Sequence, residues 1–520
     1  MRNLLPPLIP KRTAVILISV LSALAFFVPL SQTIADDAGA QRNTLIRTGS
    51  KSFTESVILG ELLKERLRSQ GYNAIHREEL GGTQVCWKAL RQGEIDLYVE
   101  YTGTLPNEIF SDQEISGIQE LRSALRERNL RMSAPLGFEN SYLLGMTKSR
   151  AQSLHIRTIS DLREHPDLTL GFTNEFLDRD DGWRALKRAY DLPHDSVRGL
   201  KHQIAYQALI NGRIDVTDFY TTDAKRRKYD LRPLEDDRNF FPDYHAVILY
   251  RADLHERAPG AVRALSALQG KISKDQMIDM NAAVSIDRRS ETGVARSFLR
   301  ETFDADLGSR DRTSMADRIL NRTGEHLKLV LISMFLAILL AVPLGIASAK
   351  FPVIGQGVLG AVGIVQTIPA LALLVFMLPF LSVGDQPAIA ALFLYSLLPI
   401  VRNTFSGLRD IPRHIRESAA ALGLPAHTRL LKVELPMASR TILAGIKISG
   451  VINVGTATLG ALIGAGGYGQ PILTGIRLDD IPLILEGAIP ASLLALMIQG
   501  LFELLERVIV PRGLQLSGDE

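Results

Sequence analysis

Two short runs in the first half of the chain repeat one another. Ala89-Leu90-x-x-Gly93-x-Ile95-Asp96 recurs as Ala208-Leu209-x-x-Gly212-x-Ile214-Asp215, and Tyr101-Thr102 and Tyr220-Thr221 follow the two copies at the same spacing. Each copy reads as a helix, a glycine stop and a strand. Tyr101 and Tyr220 thus fall at equivalent strand ends of two similar lobes, where open α/β sheets favour ligands. Two more tyrosines stand in turn-like contexts, Tyr142 in FENSYLLG and Tyr244 in FFPDYHAV. Aromatic faces attract a quaternary ammonium, at about 0.5–2 kcal/mol per ring. The chemistry open to such residues is non-covalent capture of an organic cation. A single tyrosine serves as readily in packing; the paired placement favours a cage for Tyr101 and Tyr220.

The elements that must hold these residues lie within residues 41–305, where short strand-like and helix-like segments alternate. Leu45–Thr48 and Glu94–Val99 read as strands, and 54–68 reads as an amphipathic helix with Val57, Ile58, Leu62 and Leu67 on one face. Alternation of this kind predicts an α/β domain with mostly parallel sheets. Ser52 and Thr54, in the first strand-to-helix turn, are placed to donate hydrogen bonds near a helix N-terminus.

Beyond residue 326 the composition changes. Leu329–Ala349, Val353–Val383, Pro387–Val401, Thr441–Ile463 and Gly487–Phe502 are long apolar stretches, the fourth carrying Lys447 and the others uncharged. They predict five membrane spans, the second interrupted by Pro369 and Pro379. Between the third and fourth lie Arg402, Arg409, Arg413, Arg416, Arg429, Lys432 and Arg440, which places that loop in the cytoplasm by the positive-inside rule. Counting back three spans puts residue 326 outside. The N-terminus agrees: Lys11-Arg12, an apolar run from Ala14 to Leu30 and a small-residue site at Ala35 read as a signal peptide or an uncleaved anchor. The chain therefore divides into a leader or anchor (1–40), an extracytoplasmic domain (41–305), a linker (306–326) and a membrane domain (327–510).

Composition excludes several classes. With 59 basic against 56 acidic residues, no nucleic acid or other polyanion partner is implied. The single cysteine, Cys86, leaves neither an intramolecular disulfide nor a cysteine-based metal cluster, and no cofactor or metal site is expected.

The basic loop, 403–440, contains the run ESAAALGLPAHTRLLKVELP at 417–436. This run resembles the signature loop of binding-protein-dependent ABC importer permeases, with Glu417, Ala419, Gly423, Leu435 and Pro436 on the family's spacing. Ser418 stands for an alanine and Val433 for an isoleucine. The resemblance implies a coupling helix that docks on a cytoplasmic ATPase, and a permease that works as a dimer. The phosphate-binding pattern G-x-x-x-x-G-K-[ST] does not occur in the sequence, so the chain is expected not to be an enzyme, and ATP hydrolysis is assigned to a separate subunit.

The first half, through GSKSFTES (49–56), GGTQV (81–85), GEIDLYVEYTGT (93–104), EFLDRDDGW (175–183) and DFYTTD (218–223), resembles the glycine betaine/choline/carnitine-type binding proteins. The resemblance implies a two-lobed periplasmic-binding-protein clamshell (type II-like), followed by an all-α polytopic type I ABC permease domain. Lobe 1 would comprise 44–140 and 240–305, and lobe 2 would comprise 141–239. It maps the cage onto Tyr101, Tyr142, Tyr220 and Tyr244 and a ligand-carboxylate site onto Arg179, with Ser52, Thr54 and Thr102 adjoining. Ser52 stands where the family often has Asn, and Val99 where it often has Pro. The expected function is ATP-driven import of quaternary ammonium osmoprotectants at a bacterial plasma membrane. Alternatives are another cargo, such as ergothioneine or an amino acid, or a membrane-anchored ligand sensor.

Overall fold

The structure, a computed structural model, describes residues 44–511 apart from 116, 201, 306, 308–313 and 382. The N-terminal segment expected as a signal peptide or anchor lies outside the described residues.

The first five-stranded sheet has the order β2-β1-β3-β10-β4, built from β1 (Ile46–Gly49), β2 (Ala74–Arg77), β3 (Leu97–Tyr101), β4 (Leu130–Met132) and β10 (Ala246–Arg251). β1 runs parallel to β2 and β3, whereas β10 runs antiparallel to β3 and β4. The intervening strands make two smaller sheets. β5 (Tyr142–Thr147) pairs antiparallel with β8 (Thr217–Tyr220) and β9 (Leu231–Pro233), and β6 (Leu170–Thr173) pairs parallel with β7 (Val197–Leu200). A bridge between Leu170 and Val216 joins these two sheets.

The antiparallel pairings depart from the expected mostly parallel arrangement, for a topological reason. The chain passes to the second lobe near Asn140 and returns near His245, and the bridge Glu139–His245 holds the two crossings together. A strand entering from the other lobe starts at the cleft, where the parallel strands end, and must run the opposite way. β10 accordingly starts with Ala246 opposite Tyr101, and β5 starts with Tyr142 opposite Tyr220.

Helix α1 (Thr54–Ser69) buries Ile58, Leu59, Leu62, Leu63 and Leu67 against the first sheet. Helix α2 (Thr83–Gln92) ends at Gly93, whose φ of 77° supplies the left-handed turn into β3. A short helix α3 (Asn174–Asp178) follows β6, capped by the Thr173 hydroxyl. Helices α4 (Lys274–Ser285) and α5 (Glu291–Phe303) return to pack beside α1 in the same core.

Helix α6 (Met315–Lys350) opens the membrane half, beginning inside the segment expected as a linker because Ser314 and Asp317 cap it reciprocally. Its 36 residues extend about 54 Å at 1.5 Å per residue, well beyond the ~30 Å apolar core of a bilayer. α7 (Pro352–Thr367) and α8 (Ala370–Leu381) are bent by 100° at the break before Ala370, where Pro369 cannot continue the helix. α9 (Asp385–Arg409), α11 (Leu435–Ala457) and α13 (Ile481–Ile509) complete the bundle; the short α10 (Arg413–Ala421) and α12 (Gly469–Leu478) lie at its two ends. Small residues set the helix spacing, since a Cβ on Gly445 would lie 2.7 Å from the Pro399 carbonyl oxygen. Leu339, Phe380, Leu496 and Leu504 point outward and are more than half exposed. An apolar outer surface of this extent is suited to lipid or to burial against another subunit rather than to water.

Candidate ligand cleft and coupling loop

The topology that reverses β5 and β10 also gathers the tyrosines. Tyr101 closes β3, Tyr220 closes β8, Tyr142 opens β5 and Tyr244 lies two residues before β10. The Tyr142 ring lies 5.2 Å from Tyr220 and 6.2 Å, edge-on, from Tyr244. Tyr101 joins the group through Phe53, which is 6.4 Å from Tyr101 and 5.6 Å from Tyr220. Phe176 and Phe241 extend it, at 5.1 and 6.3 Å from Tyr142. The sequence reading missed these three phenylalanines. The available signal was adjacency, because Phe53 precedes Thr54 and Phe241 sits three residues before Tyr244. Burial pushes the hydroxyl pKa values of Tyr101, Tyr142 and Tyr220 well up, so all three remain protonated donors.

Arg179 lies against the same rings, its guanidinium 5.4 Å from the Tyr142 centroid and 5.9 Å from that of Tyr244. Nε and Nη2 donate to the two oxygens of Asp181 at 2.6 and 2.5 Å, and Nη1 donates to Glu108 at 2.9 Å. Tyr244 donates to the same Asp181 at 2.6 Å. Gly182 makes this loop possible, because a Cβ there would sit 1.9 Å from the Phe176 carbonyl oxygen. Ser52, Thr54 and Thr102 are engaged as well. Ser52 donates to the Glu79 carbonyl at 3.2 Å, and Thr54 accepts from Arg477 at 3.1 Å. Thr102 donates to Asp243 and accepts from the His245 N–H, both at 3.0 Å, stitching the hinge.

The cleft has a buried centre that the sequence reading also missed. The Glu55 carboxylate accepts from Tyr101 Oη (2.6 Å), Asn140 Nδ2 (2.9 Å), Thr222 Oγ1 (2.5 Å) and Asn281 Nδ2 (3.1 Å). Those donors come from β3, the crossing at Asn140, the turn after β8 and α4. Burial raises the Glu55 pKa above the usual carboxylate range despite all four bonds. Around the rings the carboxylates Glu55, Glu100, Glu108, Glu175 and Asp181 outnumber the cations Lys51 and Arg179, so the site suits a positively charged guest. Lys51 is held by Glu100 at 2.5 Å and Thr83 at 2.9 Å.

Among the described residues, Glu61, His76 and Glu78 have the grouping of metal ligands. Glu61 is already satisfied: Lys64 Nζ lies 2.7 and 2.6 Å from its two oxygens, His76 Nδ1 lies 2.9 Å away, and Thr292 donates to it. The lysine ammonium supplies the positive charge that a metal ion would bring there.

At the opposite end of the bundle, α10 and the turn after it carry the run at 417–436. The Glu417 side chain is 73% exposed. Ala419 is buried, and Leu435 and Pro436 open α11. Gly423 has φ 74° with open space around it. Arg416 secures the loop by donating to the carbonyls of Leu408, Arg409 and Ile411 at 2.9, 2.8 and 2.9 Å, which caps the end of α9. Leu422 is left 80% exposed beside Gly423.

A two-lobed α/β cleft joined to a lipid-facing helical bundle defines a binding-protein and permease subunit of an importer. Residues 44–301 match the substrate-binding domain of ABC-type glycine betaine transport systems, and residues 341–513 match the inner-membrane component of binding-protein-dependent transport systems. A Bacillus subtilis glycine betaine/carnitine/choline transport system permease protein is 43% identical over 197 residues, 38% of this chain and 91% of that protein. A Listeria monocytogenes carnitine transport binding protein is 29% identical over 301 residues, 56% of this chain and 97% of that protein. An ergothioneine transport permease/ergothioneine binding protein of Helicobacter pylori is 33% identical over 257 residues, 48% of this chain and 46% of that protein. The chain belongs to the binding-protein-dependent ABC transport permeases, fused to a glycine betaine-type substrate-binding domain. It is a transport subunit of the inner membrane.

Proposed function

We propose that the chain captures quaternary ammonium compounds of the glycine betaine, choline and carnitine class and passes them through its own permease domain. The observation that carries this reading is the linked ring cluster of Tyr101, Tyr142, Tyr220 and Tyr244 within an excess of carboxylates. Such a surface rewards a cation that needs no hydrogen bonds. Arg179 offers a cargo carboxylate its place by exchange with Glu108, the partner held by one bond rather than two. A separate cytoplasmic ATPase drives import through the 417–436 loop, two copies of the chain form the pathway, and the binding domain lies outside. Supporting that orientation, the binding domain meets the bundle at Leu378, Arg477 and Asp479, beside the start of α9, while the basic loop begins at the other end of the same helix.

Calorimetry on the full chain in lipid nanodiscs, with glycine betaine, choline, carnitine and ergothioneine, tests the reading. Binding of one or more of the first three supports it. Absence of binding to all four sinks the cage, and a marked preference for ergothioneine moves the cargo to that betaine-like thiol-imidazole. Preference for choline over the betaines would argue that Arg179 holds no cargo carboxylate. Tyr142→Ala should weaken binding about 2- to 30-fold, the equivalent of roughly 0.5–2 kcal/mol for one lost ring face. Tyr142→Phe keeps that face and should stay close to the parent.

A further inference from the structure

Arg477, in the last turn of α12, reaches out of the permease domain and into the binding domain. Its Nε donates to Glu79 Oε1 at 2.7 Å, Nη2 to Glu291 Oε1 at 2.6 Å and Nη1 to Thr54 Oγ1 at 3.1 Å. Thr474, one turn earlier on the same helix face, donates to the same Glu79 oxygen at 3.0 Å. The Arg477 side chain is 11% exposed, Glu79 5% and Glu291 16%. A buried guanidinium shared by two carboxylates and a hydroxyl is a directed contact. Three different nitrogens of the planar guanidinium reach these three separated acceptors in fixed directions; the three donors of a lysine all radiate from one atom and cannot span them.

Glu79 is unusual in a second way. Its φ is 54°, a left-handed backbone that non-glycine residues adopt at a cost. That conformation is held by the first strand-to-helix turn. The Glu79 N–H donates to Ser50 Oγ at 3.1 Å, its carbonyl accepts from Ser52 Oγ at 3.2 Å, and the Leu80 N–H donates to the Ser50 carbonyl at 3.0 Å. The same turn leads directly to Phe53 and Glu55, which belong to the ring cluster and to the buried centre of the cleft. Leu80 packs against Gly464, where an added Cβ would fall 2.5 Å from Leu80 Cδ2. Lys88 donates to the Leu378 carbonyl and Arg288 to that of Asp479, at 3.3 Å for the latter. All these contacts come from the lobe built on the five-stranded sheet.

We infer that Arg477 is the docking anchor that seats this lobe on the permease, and that Glu79 ties the anchor to the cleft turn at 50–55. Lobe 1 is thereby fixed to the bundle, and opening of the cleft moves lobe 2. Arg477 is a positioning residue: it acts on the cleft through Glu79 and does not touch cargo.

Hydrogen exchange on the full chain in lipid nanodiscs, without cargo or ATPase, reads the anchor directly and stands apart from the transport reading. In Arg477→Glu, amides of 50–56 and 470–478 should exchange at least tenfold faster, while those of β3 and β10 stay as in the parent. Unchanged protection in both segments overturns the anchor. In cells supplying the partner ATPase, Arg477→Glu should lower uptake below a tenth with cargo affinity within about threefold of the parent, and Arg477→Lys should recover little of it. Pairing Arg477→Glu with Glu79→Arg or Glu291→Arg should restore at least a quarter of uptake. Uptake near the parental level in the single variant, or no recovery in either reversed pair, overturns the inference. Should Arg477→Glu not accumulate, Arg477→Gln carries the same expectations for exchange and uptake.

Discussion

A chain carrying Gly423→Asp should bind its cargo as the parent does and import almost none of it, below a tenth of parental uptake. Gly423 adopts φ 74°, and a Cβ there would meet nothing within 4 Å. The folding cost is therefore the backbone penalty alone, about 1 kcal/mol, and aspartate is among the residues that bear it best. The cleft lies beyond the far end of α9, a helix of 25 residues spanning about 37 Å, so the substitution touches none of the contacts that set ligand affinity. On the proposed coupling role, what changes is the face offered to the ATPase. Exposed Glu417 and Leu422 precede the glycine, and a new carboxylate next to Leu422 adds charge that any docking groove must desolvate. Glu417→Lys should behave alike, because the 73% exposed Glu417 forms, among the described residues, a 3.9 Å ion pair with a 93% exposed Arg413, which contributes little to folding. Uptake assays and calorimetry on the same preparations decide the matter. Normal import by either variant with the ATPase still bound would refute the docking role of this loop.

The second large effect is on stability. Glu55→Ala should lower the stability of the binding domain by about 3–5 kcal/mol, because it takes the shared acceptor from four buried donors, of which Asn281 Nδ2 keeps a second partner in the Thr222 carbonyl. For a domain of this size that corresponds to a fall of roughly 10 °C in the melting temperature. Glu55→Gln keeps an acceptor and should cost about half as much. The pair also carries a pH signature. The folded pKa of Glu55 is raised, so the native state holds its proton more firmly than the unfolded chain does. The contribution is fully present below the ordinary carboxylate pKa and is lost as pH rises through the raised value. The melting temperature of the parent relative to Glu55→Gln should accordingly be greatest in acid and decline as pH rises from about 4 through the raised value. Taking this difference removes the opposite dependence of Glu61, where burial alone would raise the pKa but His76 and Lys64 outweigh it. A flat difference across that range would show that Glu55 titrates as an ordinary carboxyl.

Much of the architecture was legible from local patterns. The strand at 46–49 and the helix at 54–69 fall within a residue or two of the positions that hydrophobic spacing predicts, because burial of one face is a property of the sequence alone. The apolar stretches became lipid-facing helices for the same reason, and the second proved to be two helices meeting at a 100° bend, as Pro369 suggests. Illegible were the contacts made by residues distant in the chain. Glu55 lies in an ordinary helix start, and nothing nearby announces that Asn140, Thr222 and Asn281 converge on it. Arg477 reads as a charge on an outer loop, yet it is buried between Glu79 and Glu291.

The sequence by itself determined the division into a cleft domain and a membrane bundle, the tyrosines at two equivalent strand ends, and the polar run at 417–436. Period, charge bias and spacing are one-dimensional properties that solvent and lipid read directly. Only the tertiary structure decided that β10 returns antiparallel, that Phe53 links Tyr101 to Tyr220, and that Asp181 and Glu108 hold Arg179 against the cage. Those outcomes depend on which segments close the same space, and the free energy of bringing them together belongs to the packed whole rather than to any stretch of chain.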